Sequence, residues 1–270
     1  MDGKIPPAKQ GARITIKRIT VGIKRMIMTI HETDMSITIY VGNATVYCID
    51  VQILKKINGE LYDIGNLNKI RWDKVCSLND DFKKGTDSIL LLKLVISYIY
   101  LKYPSVKTMR FTDMSTKECD DGSKINLAAL KYLTVGKTWY EDNFGASIDE
   151  QSRVFYDILS KQLLEKKKNT SWEELQTVIP TKKLDFPEED IKNLFLKSTT
   201  WQDFFNPILK RLGKIKTCIV FSSWFDTFVS GYLRISFISL QYSLPVKDYD
   251  IQYIISEYRG ERRTRKIAGT

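Results

Sequence analysis

Residues able to do chemistry are few and scattered in this 270-residue chain. His31 is the only histidine, so a Cys/His zinc site or a Ser-His-Asp triad would have to be assembled around one residue. No metal is expected. Gly136-Lys137-Thr138 invites a phosphate-loop reading, but the Walker spacing needs a glycine five positions earlier, where Lys131 stands. That chemistry is excluded. Lys83-Lys84-Gly85-Thr86-Asp87-Ser88 precedes an apolar run. Backbone N–H groups at a helix start, with a glycine that permits close approach, can cradle a pyrophosphate. Thr86, Asp87 and Ser88 also suit a plain helix N-cap. Arg262, Arg263, Arg265 and Lys266 form a dense basic cluster fit for nucleic acid or an acidic protein surface.

Charge is concentrated at the ends. Residues 1–31 and 259–270 account for the whole net charge of +10. Hydrophobic residues make up 43% and charged residues 27%, so the chain can build a core. Cys48, Cys76, Cys119 and Cys218 lie far apart with no C-x-x-C pair. They read as cysteines of a reducing compartment, not as a disulfide framework. The Met1 end carries Pro6, Pro7 and scattered basic residues in place of a secretory apolar region. The most apolar stretch, Ile89–Leu101, contains Lys93 and is shorter than the roughly 18 residues a membrane span needs. A cytoplasmic protein without membrane contact is expected.

The elements that must position these residues follow from periodicity. Arg13–Thr20 and Ser36–Tyr40 alternate like strands. Thr45–Lys55 and the stretch from Leu61 toward Ile70, Trp72 and Val75 flank Asn58-Gly59, the favoured type I′ pair, and read as a hairpin. Ile89–Leu101 is apolar nearly all round, as a buried helix is, and Pro104 stops it. Val106–Phe111 reads as an interior strand, and Asn126–Val135 as a helix capped by Asn126. Glu150–Lys168 reads as helix, and Ser171 with Glu174 as a capping box. Ile191–Leu196 and Trp201–Leu212 read as helices, and Cys218–Phe221 and Tyr232–Tyr242 as strands.

The order hairpin, Gly85 loop, buried helix, strand and Asn126 helix resembles the acyl-CoA core of the GNAT N-acetyltransferase superfamily. In that family the cofactor loop has the form Q/R-x-x-G-x-G/A; here it is Phe82-Lys83-Lys84-Gly85-Thr86-Asp87. Phe82 stands where the family has arginine or glutamine, and Asp87 where it has a small residue. Asn126, Ala129, Tyr132 and Gly136 match the downstream N-x-x-A, tyrosine and glycine pattern. The segment Gly136–Ala146 and the basic tail resemble those of proteins from large nucleocytoplasmic double-stranded DNA viruses.

The resemblance implies an α/β (α+β) fold: a mixed, mostly antiparallel GNAT-like sheet with flanking helices, and a C-terminal helical and strand extension. The division expected is a basic arm and first strand over 1–31, the core over 32–147, the extension over 148–258 and a basic tail over 259–270. Acetyl-CoA would be held by Lys83, Lys84, Gly85, Thr86, Asp87 and Ser88. Tyr132 would be the acid that protonates the departing thiolate, with Tyr140 as its substitute and Glu141 or Asp113 as a base through water. Two functions are compatible with this resemblance. One is an acetyl-CoA-dependent N-acyltransferase acting on an amine. The other is a non-catalytic scaffold, virion-associated or binding nucleic acid or another partner.

Overall fold

The computed structural model describes residues 4, 6–7, 11–43, 46–70, 76–78, 83, 85–113, 115–119, 122–184, 186–236 and 240–257. Two compact units divide the chain: Met1–Arg110 with Pro245–Thr270, and Phe111–Leu244. The class is mixed α/β with mostly antiparallel strand pairing, as the sequence leads one to expect.

Unit 1 is built on β1 (Arg13–Val21), β2 (Lys24–Glu32), β3 (Ser36–Gly42), β4 (Tyr47–Lys55), β5 (Leu61–Ile70), the start of β6 (Thr108–Thr112) and β11 (Ile254–Glu257). Their order is β11-β1-β2-β3-β4-β5-β6. Every pair up to β5 is antiparallel, and β5–β6 is parallel over Ile64–Asn66 and Thr108–Arg110. Parallel neighbours need a crossover, supplied here by helix α1 (Thr86–Lys102). The register places Met28, Ile30, Ile37, Ile39, Val41, Ile49, Val51 and Ile53 on one face. All are buried, as are Leu91, Leu94, Val95 and Ile99 of α1. Lys17 shares that face, and its ammonium sits 5.6 Å from the Tyr98 ring of α1. Of the basic residues in 1–31, Arg13, Lys17 and Arg18 lie in β1, where a strand was expected, and Lys24 and Arg25 lie in β2.

The β4–β5 connection departs from the type I′ expectation. Gly59 has φ 82°, but Asn58 does not enter the left-handed region that a type I′ turn requires of both residues. The loop is longer, closed by Lys56 N–H donating to the Glu60 carbonyl at 2.7 Å.

Unit 2 opens with the hairpin β7 (Thr116–Glu118) and β8 (Lys124–Asn126). Helices α2 (Leu127–Val135) and α3 (Trp139–Phe144), strand β9 (Ser147–Ile148), and helices α4 (Glu150–Asn169), α5 (Trp172–Val178), α6 (Glu188–Lys197) and α7 (Trp201–Phe221) follow. A π-helical turn, Thr227–Tyr232, precedes β10 (Gln241–Pro245), which pairs antiparallel with β9. Asn126 caps α2 as the sequence indicates, its Oδ1 accepting from Ala129 N–H at 2.8 Å. Ser171 likewise accepts from Glu174 N–H at 3.1 Å. The core is aromatic: Trp201, Phe204, Phe205, Phe221, Phe225 and Phe228 are essentially inaccessible to solvent.

Three expectations are overturned. Cys218–Phe221 is the end of α7, not a strand, and Tyr232 closes the π-helical turn, with the strand beginning only at Gln241. The cysteines are bonded, Cys48 to Cys76 in unit 1 and Cys119 to Cys218 in unit 2, with Cα separations of 5.8 and 5.6 Å. The partners lie 28 and 99 residues apart, so the fold, not local spacing, brings them together. Among the described residues no helix is long and apolar enough to cross a membrane, and no cluster of three or more His, Cys, Asp or Glu is placed to hold a metal ion.

Candidate functional site

The residues expected to bind acetyl-CoA start α1. Gly85 takes φ 86° at the N-cap position and offers no side chain to the free N–H groups. Thr86 and Lys83 are exposed, while Asp87 and Ser88 are buried. The N-cap is therefore glycine, not one of the three side chains the sequence offered. Asp87 instead turns its carboxylate back along the loop. Oδ2 accepts from the Lys83 N–H and makes an ion pair with Lys24 Nζ at 2.8 Å. Lys24 begins β2, so the strand that was expected to be a basic arm supplies the counter-ion. Lys84 lies outside the described residues, as do Arg262, Arg263, Arg265 and Lys266 of the tail.

The expected acid and base residues belong to unit 2, where they fall in one cluster. Tyr132 lies on α2, and its hydroxyl shares a 2.7 Å hydrogen bond with Ser160 Oγ of α4. Tyr140 and Glu141 lie on α3. Glu141 Oε2 accepts from Thr138 N–H at 2.7 Å, and both carboxylate oxygens lie 3.3 Å from the donating Tyr156 hydroxyl. Tyr156 packs edge-on against Tyr132, centroids 5.6 Å apart. Tyr140 packs at 4.3 Å from Phe111 of β6, and Phe111 stacks on Tyr242 of β10 at 5.2 Å. Asp113, three residues past Arg110, is 2% exposed. Its Oδ1 accepts from Ser115 N–H at 2.9 Å, while Oδ2 is buried with no hydrogen-bond partner.

Burial sets the electrostatics. It raises Asp113 above the usual carboxylate value, and the Ser115 hydrogen bonds hold it back only in part. Burial also pushes Tyr140, Tyr156 and Tyr242 well above the ordinary phenol, reinforced by Asp113 for Tyr140, by Glu141 for Tyr156, and by both carboxylates for Tyr242. At neutral pH these phenols keep their protons, and Tyr156 donates its own to Glu141. The cluster is thus a set of phenols around two carboxylates. Tyr132 is bonded to Ser160, Glu141 to Thr138 and Tyr156, and Asp113 to Ser115 through Oδ1 alone, while Tyr140 packs against Phe111.

Thr138, Tyr156, Ser160 and Tyr242 were not anticipated. Thr138 with Glu141 had a legible signal, the T-x-x-E spacing of a capping box, of which the Glu141 half is formed. Tyr156, Ser160 and Tyr242 come from α4 and β10, distant in sequence, and had none. No family model, curated protein or solved structure matches this chain.

Proposed function

We propose that this chain is a non-catalytic, GNAT-like scaffold that binds a partner, with the virion of a large DNA virus as its setting and its basic ends available to nucleic acid or an acidic surface. The observation that carries this is Asp87. A buried carboxylate stands beside the helix start where a pyrophosphate would sit, accepting from the Lys83 N–H and ion-paired with Lys24. Bringing phosphate beside it costs on the order of 1 to 4 kcal/mol at surface-like dielectric, a tenfold to thousandfold loss of affinity. In unit 2 Tyr132 is held by Ser160, and Glu141 by Thr138 and Tyr156, which suits a packed core.

A second reading, an acetyl-CoA-dependent N-acyltransferase with Tyr132 or Tyr140 as acid, draws on one observation: the parallel β5–β6 pair with α1 as its crossover. Titration with acetyl-CoA and coenzyme A separates the two. A ligand that binds the native state raises the melting temperature by mass action, so the scaffold is expected to show no shift at millimolar cofactor. A clear rise in the unmodified chain would refute it. Binding that emerges only in Asp87→Gly would identify the carboxylate as the obstacle.

A further inference from the structure

Helix α4 carries an exposed stripe whose composition reads as its own complement. Glu150, Val154, Asp157, Lys161, Leu164 and Lys168 follow one another at spacings of 4, 3, 4, 3 and 4 residues, which keeps them on one face of a helix. All six are exposed, Val154 at 68% and Leu164 at 41%. Leu159 and Leu163, on the opposite face, are buried. The stripe runs acid, apolar, acid, base, apolar, base. Its spacing is symmetric about Leu159. Turned end for end, it sets Glu150 against Lys168, Val154 against Leu164 and Asp157 against Lys161.

We propose that α4 is the dimerisation surface of this protein, pairing antiparallel with α4 of a second copy about a two-fold axis at the level of Leu159. A two-fold interface must be self-complementary, because each residue meets its mirror position on the other copy. This stripe meets that requirement at all three kinds of position, giving each ion pair twice and each apolar contact twice. Ile158, 49% exposed, sits beside the centre of the stripe and extends the apolar contact. Acids in the first turn and bases in the last also suit the helix dipole of a lone helix. The dipole gives no reason for Asp157 and Lys161 to flank the midpoint, nor for exposed Val154 and Leu164 at mirrored positions. A single helix pair buries an area at the small end of specific interfaces, below about 1,200 Å². The dimer is therefore weak, concentration-dependent and loosened by salt.

Sedimentation equilibrium of the full chain over a wide concentration range tests this. A monomer–dimer equilibrium is expected. Asp157→Lys puts two lysines together at both symmetric contacts and should weaken association at least about tenfold, the factor set by roughly 1.4 kcal/mol. The double exchange Asp157→Lys with Lys161→Asp restores opposite charges across the axis and should restore the dimer. Circular dichroism of each variant reports whether α4 is intact. A chain monomeric at every concentration overturns the proposal, whatever else α4 meets. So does a dimer indifferent to Asp157→Lys, or a folded double exchange that stays monomeric.

Discussion

Asp113 bears a cost that only its surroundings explain. It is buried at the end of β6 with Oδ1 satisfied by Ser115 and Oδ2 facing no donor. Burial raises its pKa, so the native state holds the proton at pH values where the unfolded chain has released it. Stability should accordingly fall as pH rises from the ordinary value of 3.8 through the raised one, since the native state binds more protons across that window. Asp113→Asn keeps the Oδ1 acceptor and removes the charge. It should flatten that slope and, by removing the charge that burial disfavours, stabilise the protein near neutral pH. Urea unfolding of both proteins at a series of pH values measures it; an unchanged slope would mean that Asp113 finds a donor in solution. The sequence marked Asp113 as a base for catalysis. It could not reveal the burial, which depends on Phe111, Tyr140 and Tyr242 converging from three elements.

Helix α6 shows how one element's end is completed by another. Lys167 of α4 is buried, and its ammonium donates to the carbonyls of Phe195 at 3.2 Å and Ser198 at 2.9 Å, over the Phe195 ring at 3.8 Å. Those carbonyls end α6, where the helix leaves acceptors without partners and carries partial negative charge. Lys167→Met keeps the apolar stem but removes the donor, and should cost about 1 to 3 kcal/mol in chemical denaturation. Burial lowers the pKa of Lys167 below 10.5, so wild-type stability should climb as pH rises through that lowered value toward 10.5, and the variant should lack this rise. In the sequence Lys167 is the middle of three lysines that end the Glu150–Lys168 helix, and nothing there marks it as buried. Elements whose pattern is local were legible: β1, β3, the β4–β5 pair, α1 and the capped starts of α2 and α5. Strand β2 was not, because Met26–His31 is buried on both faces and shows no alternation. Cys218–Phe221 looks like a strand from its β-branched residues, yet it buries Val220 and Phe221 as the last turn of α7, where packing overrides propensity.

At the scale of the whole chain, the two disulfides are the covalent ties a sequence without paired spacing did not announce. Each lies within one unit and closes a loop of very different length, 28 residues for Cys48–Cys76 and 99 for Cys119–Cys218. A cross-link restricts the unfolded chain more as its loop grows. The chain-entropy account gives roughly 3 to 4 kcal/mol for the shorter loop and about 4 to 5 kcal/mol for the longer. Replacing Cys119 and Cys218 by serine should therefore lower the urea midpoint more than replacing Cys48 and Cys76. The longer tie also joins the β7–β8 hairpin to the half of α7 beyond Gly213, whose φ of 66° and ψ of −178° break the helix. That half of α7 rests on the bond as well as on the aromatic core. Reduction of the wild-type chain should thus open residues 214–221 to amide hydrogen exchange before the first half of α7, which packs on α2 and is held by Gln202 Nε2 donating to the Tyr132 carbonyl at 3.1 Å. Exchange read peptide by peptide, with and without reductant, decides the point. Equal protection of both halves after reduction would mean that packing alone fixes the end of α7.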